Sequence, residues 1–171
     1  AGEPAEGRGG MARTRTAVIT GASSGIGAAL ARKLGVEAWN LALAARRQKE
    51  LEAVASHSGE HALGVVADVT RRGDVERLFG EAVRRFGGID VWINNAGRGI
   101  GKTVLDLTDD DVDEMLAVNL KSVLYGMQVV IPHFQEKGEG HLINFSSFLG
   151  RVPVVSLRSA YNAATAELKS T

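Results

Sequence analysis

Between Ile19 and Ala28 the chain reads Thr20-Gly21-Ala22-Ser23-Ser24-Gly25-Ile26-Gly27, and no other stretch constrains the fold as much. Residues 16–19 before it have strand propensity. Residues 28–34 after it are good helix formers, with Ile26, Leu30 and Leu34 at four-residue spacing. A strand therefore passes into a helix through glycine. Backbone N–H groups and the positive end of the helix dipole converge at such a turn, which suits a phosphate or pyrophosphate. Glycine allows the unusual φ/ψ of the turn and a close approach of ligand to backbone. A serine-capped helix entry that binds nothing has a similar sequence, so the rest of the chain decides between the two.

The strand-to-helix alternation continues. Residues 39–44 form an apolar run broken only by Asn40, as in a strand buried on both faces of a parallel sheet. A short helix is predicted over 48–55 and a third strand over 62–67, ending at Asp68. Residues 71–86 place Val75, Leu78, Phe79, Ala82, Val83 and Phe86 at spacings of three and four, an amphipathic helix stopped by Gly87-Gly88. A fourth strand over 89–93 leads into Asn94-Asn95-Ala96-Gly97. Thr108-Asp109-Asp110-Asp111 then caps a long helix, whose apolar positions are Val112, Met115, Leu116, Leu120, Val123, Leu124, Met127 and Ile131. A fifth strand over 142–145 opens onto Ser146-Ser147. Five strands separated by four helices imply an α/β fold, a doubly wound parallel sheet. Ligands gather at the carboxyl ends of the strands in such sheets, and that is where the glycine turn, Ala45 to Arg47, Asp68, residues 94–97 and the serine pair all fall.

Composition narrows the function classes. With 171 residues, 44% hydrophobic and 23% charged, the chain is large enough for one domain and too small for two ordinary ones. Twenty basic and 20 acidic residues balance to a formal charge of +0, and basic residues run no further than pairs, so a nucleic-acid surface has no support. The chain has no cysteine, which rules out disulfides and thiol chemistry and fits a reducing, cytoplasmic setting. No apolar run approaches the roughly 18 residues of a membrane span, so no membrane partner is expected. The glycine-rich, charged residues 1–14 read as a disordered tail or cloning remnant rather than a secretory signal, with the domain occupying 15–171. His57, His61, His133 and His141 bring no acidic cluster with them, so no metal site is expected and the histidines are read as exposed.

The glycine motif at 20–27, Asp68, the Asn94-Asn95-Ala96-Gly97 turn, Asn119, Ser146-Ser147 and Tyr161 stand together in an order and spacing that resemble the short-chain dehydrogenase/reductase family over residues 15–164. The resemblance implies a three-layer Rossmann-type fold, a nicotinamide dinucleotide and reversible hydride transfer between an alcohol and a carbonyl. It places Gly21, Ser23, Ser24, Gly25, Ile26, Gly27, Arg46, Arg47, Asp68, Val69, Asn95, Ala96 and Gly97 at the cofactor. An acidic residue at the end of the second strand would bond a ribose 2′-OH and repel a 2′-phosphate. Ala45 stands there instead, followed by Arg46 and Arg47. A guanidinium holds a phosphate in bidentate fashion, so NADP(H) is favoured over NAD(H), unless the two arginines merely open the next helix in solvent. Asp68 resembles the family residue that binds the adenine amino group, or else caps the turn before Thr70.

In the family's chemistry Tyr161 is the acid/base and Ser147 the hydroxyl that polarises the substrate oxygen, with Ser146 in reserve. Asn119, a poor helix former within an apolar helix, resembles the asparagine that holds a helix distortion and a proton-relaying water. One position departs from the pattern. The family's lysine four residues after the tyrosine lowers the phenol pKa; bringing it from near 10 to about 7 takes roughly 4 kcal/mol. Here that position is Thr165, and Lys169 lies about 12 Å further along a helix than Tyr161. Either the substitution is real, giving an impaired dinucleotide-binding protein, or about two turns are missing after Ala164. The chain also stops short of the family's full length, so the domain is expected to lack its carboxyl-terminal part. The resemblance also implies a small-molecule carbonyl or alcohol substrate and a homodimer or homotetramer formed through the long helix at Asp111 to Gln135 and the helix bearing Tyr161.

Overall fold

The computed structural model describes residues 13–147. Five parallel strands, β1 (Thr16–Thr20), β2 (Asn40–Ala45), β3 (Ala62–Val66), β4 (Val91–Asn94) and β5 (His141–Asn144), are ordered β3-β2-β1-β4-β5. The helices are α1 (Gly25–Val36), α2 (Gln48–Ser56), α3 (Arg72–Phe86), α4 (Asp109–Leu116) and α5 (Ser122–Lys137), with a π-helical turn over Ala117–Lys121 joining the last two. This is the doubly wound parallel sheet that the alternation predicts and the Rossmann-type fold that the resemblance implies. The predicted boundaries move by one or two residues. β4, for example, opens at Val91 because Asp90 pairs only through single bonds, its N–H to Thr16 O and its carbonyl to His141 N.

Side chains alternate across the sheet and feed two cores. Ala17, Ile19, Leu41, Leu43 and Ile93 pack with Ala28 and Ala31 of α1 and Leu51 and Val54 of α2. On the other face Val18, Ala42, Ala44, Val65 and Trp92 pack with Val75, Leu78 and Ala82 of α3 and Val130 of α5. Each fully buried aliphatic side chain contributes about 1.5–3 kcal/mol. Gly87, with φ 79°, ends α3 as predicted.

The long helix differs from its prediction in two ways. Its buried positions are Met115, Val118, Asn119, Ser122, Val123, Gly126 and Val130, whereas Val112, Leu124 and Ile131 are exposed. By length and mean hydropathy residues 109–137 could also cross a bilayer, which the sequence expectation overlooked; here the segment packs against β4, β5 and α3. The Thr108 cap is present: Thr108 Oγ1 accepts from Asp111 N at 3.3 Å, and Asp111 Oδ2 accepts from Thr108 N at 3.0 Å. Lys102 and that amide hold the Asp111 carboxyl down to about 2.

At the amino ends of the strands Asp90 gathers three donors. Lys137 Nζ and Arg13 Nη2 pair with its Oδ1, and Thr16 N donates to Oδ2 at 2.7 Å. Burial pushes this carboxyl up, but the Lys137 and Thr16 hydrogen bonds and the Lys137 and Arg13 charges outweigh it, so it sits below the ordinary 3.8. Of the histidines, His57, His61 and His141 are exposed as expected. His133 is not: it is half-buried between Phe79 and Phe134 and accepts from Ile89 N at 3.1 Å. Among the described residues no cluster of metal ligands forms.

Candidate active site

The strand order reverses between β1 and β4, and the crevice at their carboxyl ends is where such sheets bind ligands. Thr20 and Asn95 build its floor. Thr20 Oγ1 donates to Ile93 O at 3.3 Å and accepts from Asn95 N and Ala96 N at 3.0 and 3.1 Å. Asn95 Nδ2 donates to Thr20 O at 2.9 Å. Thr20 thus ties the two strands together; the sequence signal for it was a threonine ending a strand directly before glycine.

Above this floor lies a cleft of about 420 Å³. It brings together nearly every predicted cofactor residue: Gly21, Ser23, Ser24, Ile26, Arg46, Arg47, Asp68, Val69, Asn95, Ala96 and Gly97. Ala45, Ala67, Arg98 and Val118 also line it, and the last two were not anticipated. Gly21 and Gly27 are there for want of room. A Cβ on Gly21, whose φ is 68°, would lie 2.7 Å from Ala96 Cα, and one on Gly27 would lie 2.6 Å from both Asn95 Nδ2 and Gly21 O. Gly25, with φ 55°, has nothing within 4 Å of its Cβ position. Ser24 stands at the N-cap of α1 with no side-chain cap bond, and the first turn carries no acidic residue. Ile26 is 61% exposed at the rim, although its spacing with Leu30 and Leu34 predicts a packed position.

Arg47 reaches back over the turn, its Nη2 donating to Ser23 Oγ at 3.1 Å and Ser24 Oγ at 2.8 Å, with Glu50 3.6 Å from Nη1. It is also the N-cap of α2, so it both opens a helix and faces the glycine turn. Asp68 Oδ1 accepts from Thr70 N at 3.0 Å and Thr70 Oγ1 at 2.7 Å; it caps a turn and lines the cleft at once. Asn119, 5% exposed in the π turn, grips the backbone of Arg98: Oδ1 accepts from Arg98 N and Nδ2 donates to Arg98 O, both at 2.8 Å. Arg98 in turn ion-pairs with Glu114. Ser147 is half-buried beyond β5. Tyr161, Thr165 and the Ala164-Thr165 junction lie outside the described residues.

This floor, cradle and cation set fit a dinucleotide: Gly21 and Gly27 let the turn close tightly on Ala96 and Asn95, Gly25 leaves its Cβ position open, an uncapped helix start faces the cleft, and arginines follow directly after β2. The family model for the short chain dehydrogenases matches residues 15–170. The chain belongs to that family. An uncharacterized oxidoreductase of Staphylococcus aureus is 38% identical over 153 residues, 89% of this chain and 66% of that protein. One of Staphylococcus epidermidis is 32% identical over 156 residues, 91% and 67% of the two chains. Solved structures match as well. The 3-ketoacyl-(acyl-carrier-protein) reductase of Brucella melitensis complexed with NADH has a TM-score of 0.86 at 30% identity, over 91% of this chain and 66% of that one. A family member of Burkholderia phymatum in complex with NAD has a TM-score of 0.87 at 30% identity, over 92% and 57%. The chain therefore spans 66% of the length of the S. aureus relative.

Proposed function

We propose that this short chain dehydrogenase is an oxidoreductase that interconverts an alcohol and a carbonyl with NADP(H). The observation that carries the reading is the cleft at the β1/β4 switch point, with its glycine cradle and two arginines after β2. A bound nicotinamide dinucleotide supplies or accepts the hydride at the carbonyl carbon. Gly25, whose Cβ position is open, would admit its phosphates beside the start of α1, with Gly21 and Gly27 closing the turn beneath them, while Asp68 and the Val69 backbone would meet the adenine and Asn95, Ala96 and Gly97 would line the nicotinamide half. Ser147 donates a hydrogen bond to the substrate oxygen and Tyr161 gives that oxygen its proton. Asn119 holds the backbone of the loop after β4 at Arg98. The impaired-protein alternative draws no support from the relatives, which carry the oxidoreductase name.

The two structural neighbours hold NADH and NAD. Here the end of β2 is neutral at Ala45 and cationic at Arg46 and Arg47, and Arg47 already spans Ser23 and Ser24. Those groups favour a 2′-phosphate. Fluorescence titration is expected to show NADPH binding tighter than NADH. Arg46→Ala and Arg47→Ala should each weaken NADPH about tenfold while sparing NADH, the effect of one lost charged hydrogen bond. Equal affinity for the two nucleotides in the unmodified protein would refute the NADP(H) preference. Turnover is read with NADPH against a panel of ketones and aldehydes, and Ser147→Ala is expected to slow it about a hundredfold.

We also propose assembly into a dimer or tetramer through α4 and α5. Their second apolar stripe, Val112, Leu116, Leu120, Leu124, Met127 and Ile131, is left partly or largely exposed on this chain. A cytoplasmic setting agrees with the absence of cysteine.

A further inference from the structure

An asparagine buried at the end of a strand has to satisfy both halves of its amide. Asn94 is 4% exposed and does so within a chain of side chains. Its Oδ1 accepts from the indole Nε1 of Trp92 at 2.8 Å, and its Nδ2 donates to Asn144 Oδ1 at 2.8 Å. Asn144 Nδ2 lies 3.8 Å from Met127 Sδ on α5. Space for this chain is kept by Gly126, where a Cβ would lie 2.3 Å from Asn94 Oδ1 and 2.6 Å from Trp92 Nε1. The network thus occupies the contact between the sheet and α5, where an apolar set would pack at no loss of stability.

Its position shows what it fixes. Asn94 and Asn144 are register partners across β4 and β5. Phe145 N donates to Asn94 O at 2.9 Å, just past the end of β5. Two residues later comes Ser147. We infer that Asn144 is a positioning residue for Ser147: bonded to Asn94, it sets the direction in which β5 delivers that hydroxyl to the substrate oxygen. The side-chain bridge and the Phe145 amide bond together fix two successive residues of the strand exit. Side-chain hydrogen bonds define orientation more sharply than apolar contacts do, and a hydroxyl misplaced by about 1 Å can lose up to a hundredfold in rate.

The inference rests on the role of Ser147 in the proposed reaction, and the experiment separates the two. Asn144→Leu removes the acceptor for Asn94 Nδ2 at similar volume, and Asn144→Asp keeps it. In the full chain Asn144→Leu is expected to lower kcat with NADPH about tenfold and leave KM for NADPH unchanged. Deuterium uptake should rise at residues 145–147 and stay the same at residues 20–27. Asn144→Asp should return kcat to within about threefold of the original. If Asn144→Leu leaves uptake at 145–147 unchanged, or lowers kcat and cofactor affinity equally, the positioning role is overturned, and the uptake arm decides this without turnover. If Ser147→Ala retains full turnover, the reading of Ser147 fails on its own. If Ser147→Ala is slow while Asn144→Leu is not, only the positioning role fails.

Discussion

Gly21→Ala is expected to cost about 3 kcal/mol of stability and to weaken NADPH binding by more than a hundredfold. Two penalties add at this residue. Its φ of 68° is left-handed, which costs a residue with a Cβ about 1–2 kcal/mol. The new methyl also meets Ala96 Cα at 2.7 Å and Ala96 N at 3.0 Å, backbone atoms that cannot swing aside, and forced overpacking costs about 1–3 kcal/mol. To make room, β1 and the turn after β4 must part, and that opens the floor held by Thr20 and Asn95. Thermal unfolding should move down by about 6–12 °C for a chain of this size. Fluorescence titration reads the affinity in the folded population at low temperature. A variant that melts lower yet binds NADPH as the parent does would show that the floor plays no part in binding.

Asp90→Asn is expected to destabilise the fold by about 3 kcal/mol at neutral pH, because it removes the buried counter-charge of the Lys137 ammonium and leaves only the exposed Glu139, 3.6 Å away. The Lys137 side chain is 17% exposed and that of Asp90 is 12%, so water does little to replace the pair. Arg13, 59% exposed, adds little. Since the folded carboxyl titrates below 3.8, its contribution is complete above that value and is lost as pH falls through the lower, folded value. The stability gap between parent and variant should therefore hold constant from pH 8 to 5 and close only below about pH 4. Chemical denaturation across that range measures it. A gap that closes between pH 6 and 8 would assign the effect to some other group.

Much of this was open to sequence reasoning, for physical reasons. Strands buried on both faces read as unbroken apolar runs, and polar residues placed just after them collect at one end of the sheet, so the cleft residues from Gly21 to Gly97 were legible before any coordinates. The inward face of α5 was legible only at Val123, which is buried as its spacing predicts. Gly126 and Ser122 occupy it because α5 lies against the Trp92-Asn94 pair, and small or polar residues at a contact give no hydrophobic signal. Periodicity selected Val112, Leu124 and Ile131 instead, which lie on a second apolar stripe. Nor do local patterns foretell the Asp90-Lys137 pair, whose partners stand 47 residues apart. Arg98 had no motif to mark it; its place depends on Asn119, 21 residues later.

The π turn at Ala117–Lys121 has a further consequence. A π turn accommodates one residue beyond an α-helical turn, and each helical residue advances by about 100°. α4 and α5 are therefore out of phase with each other along what looks like a single rod. That slip lets Asn119 face Arg98 while the residues beyond it keep their own alignment with β4 and β5. Losing one residue here would turn the i→i+5 bonds of the π turn into ordinary α-helical ones and rotate the capped α4 end, with Lys102 and Glu114 attached, about a quarter turn relative to α5. The chain thus holds the loop at Arg98 in place by a count of residues as well as by the side chain of Asn119.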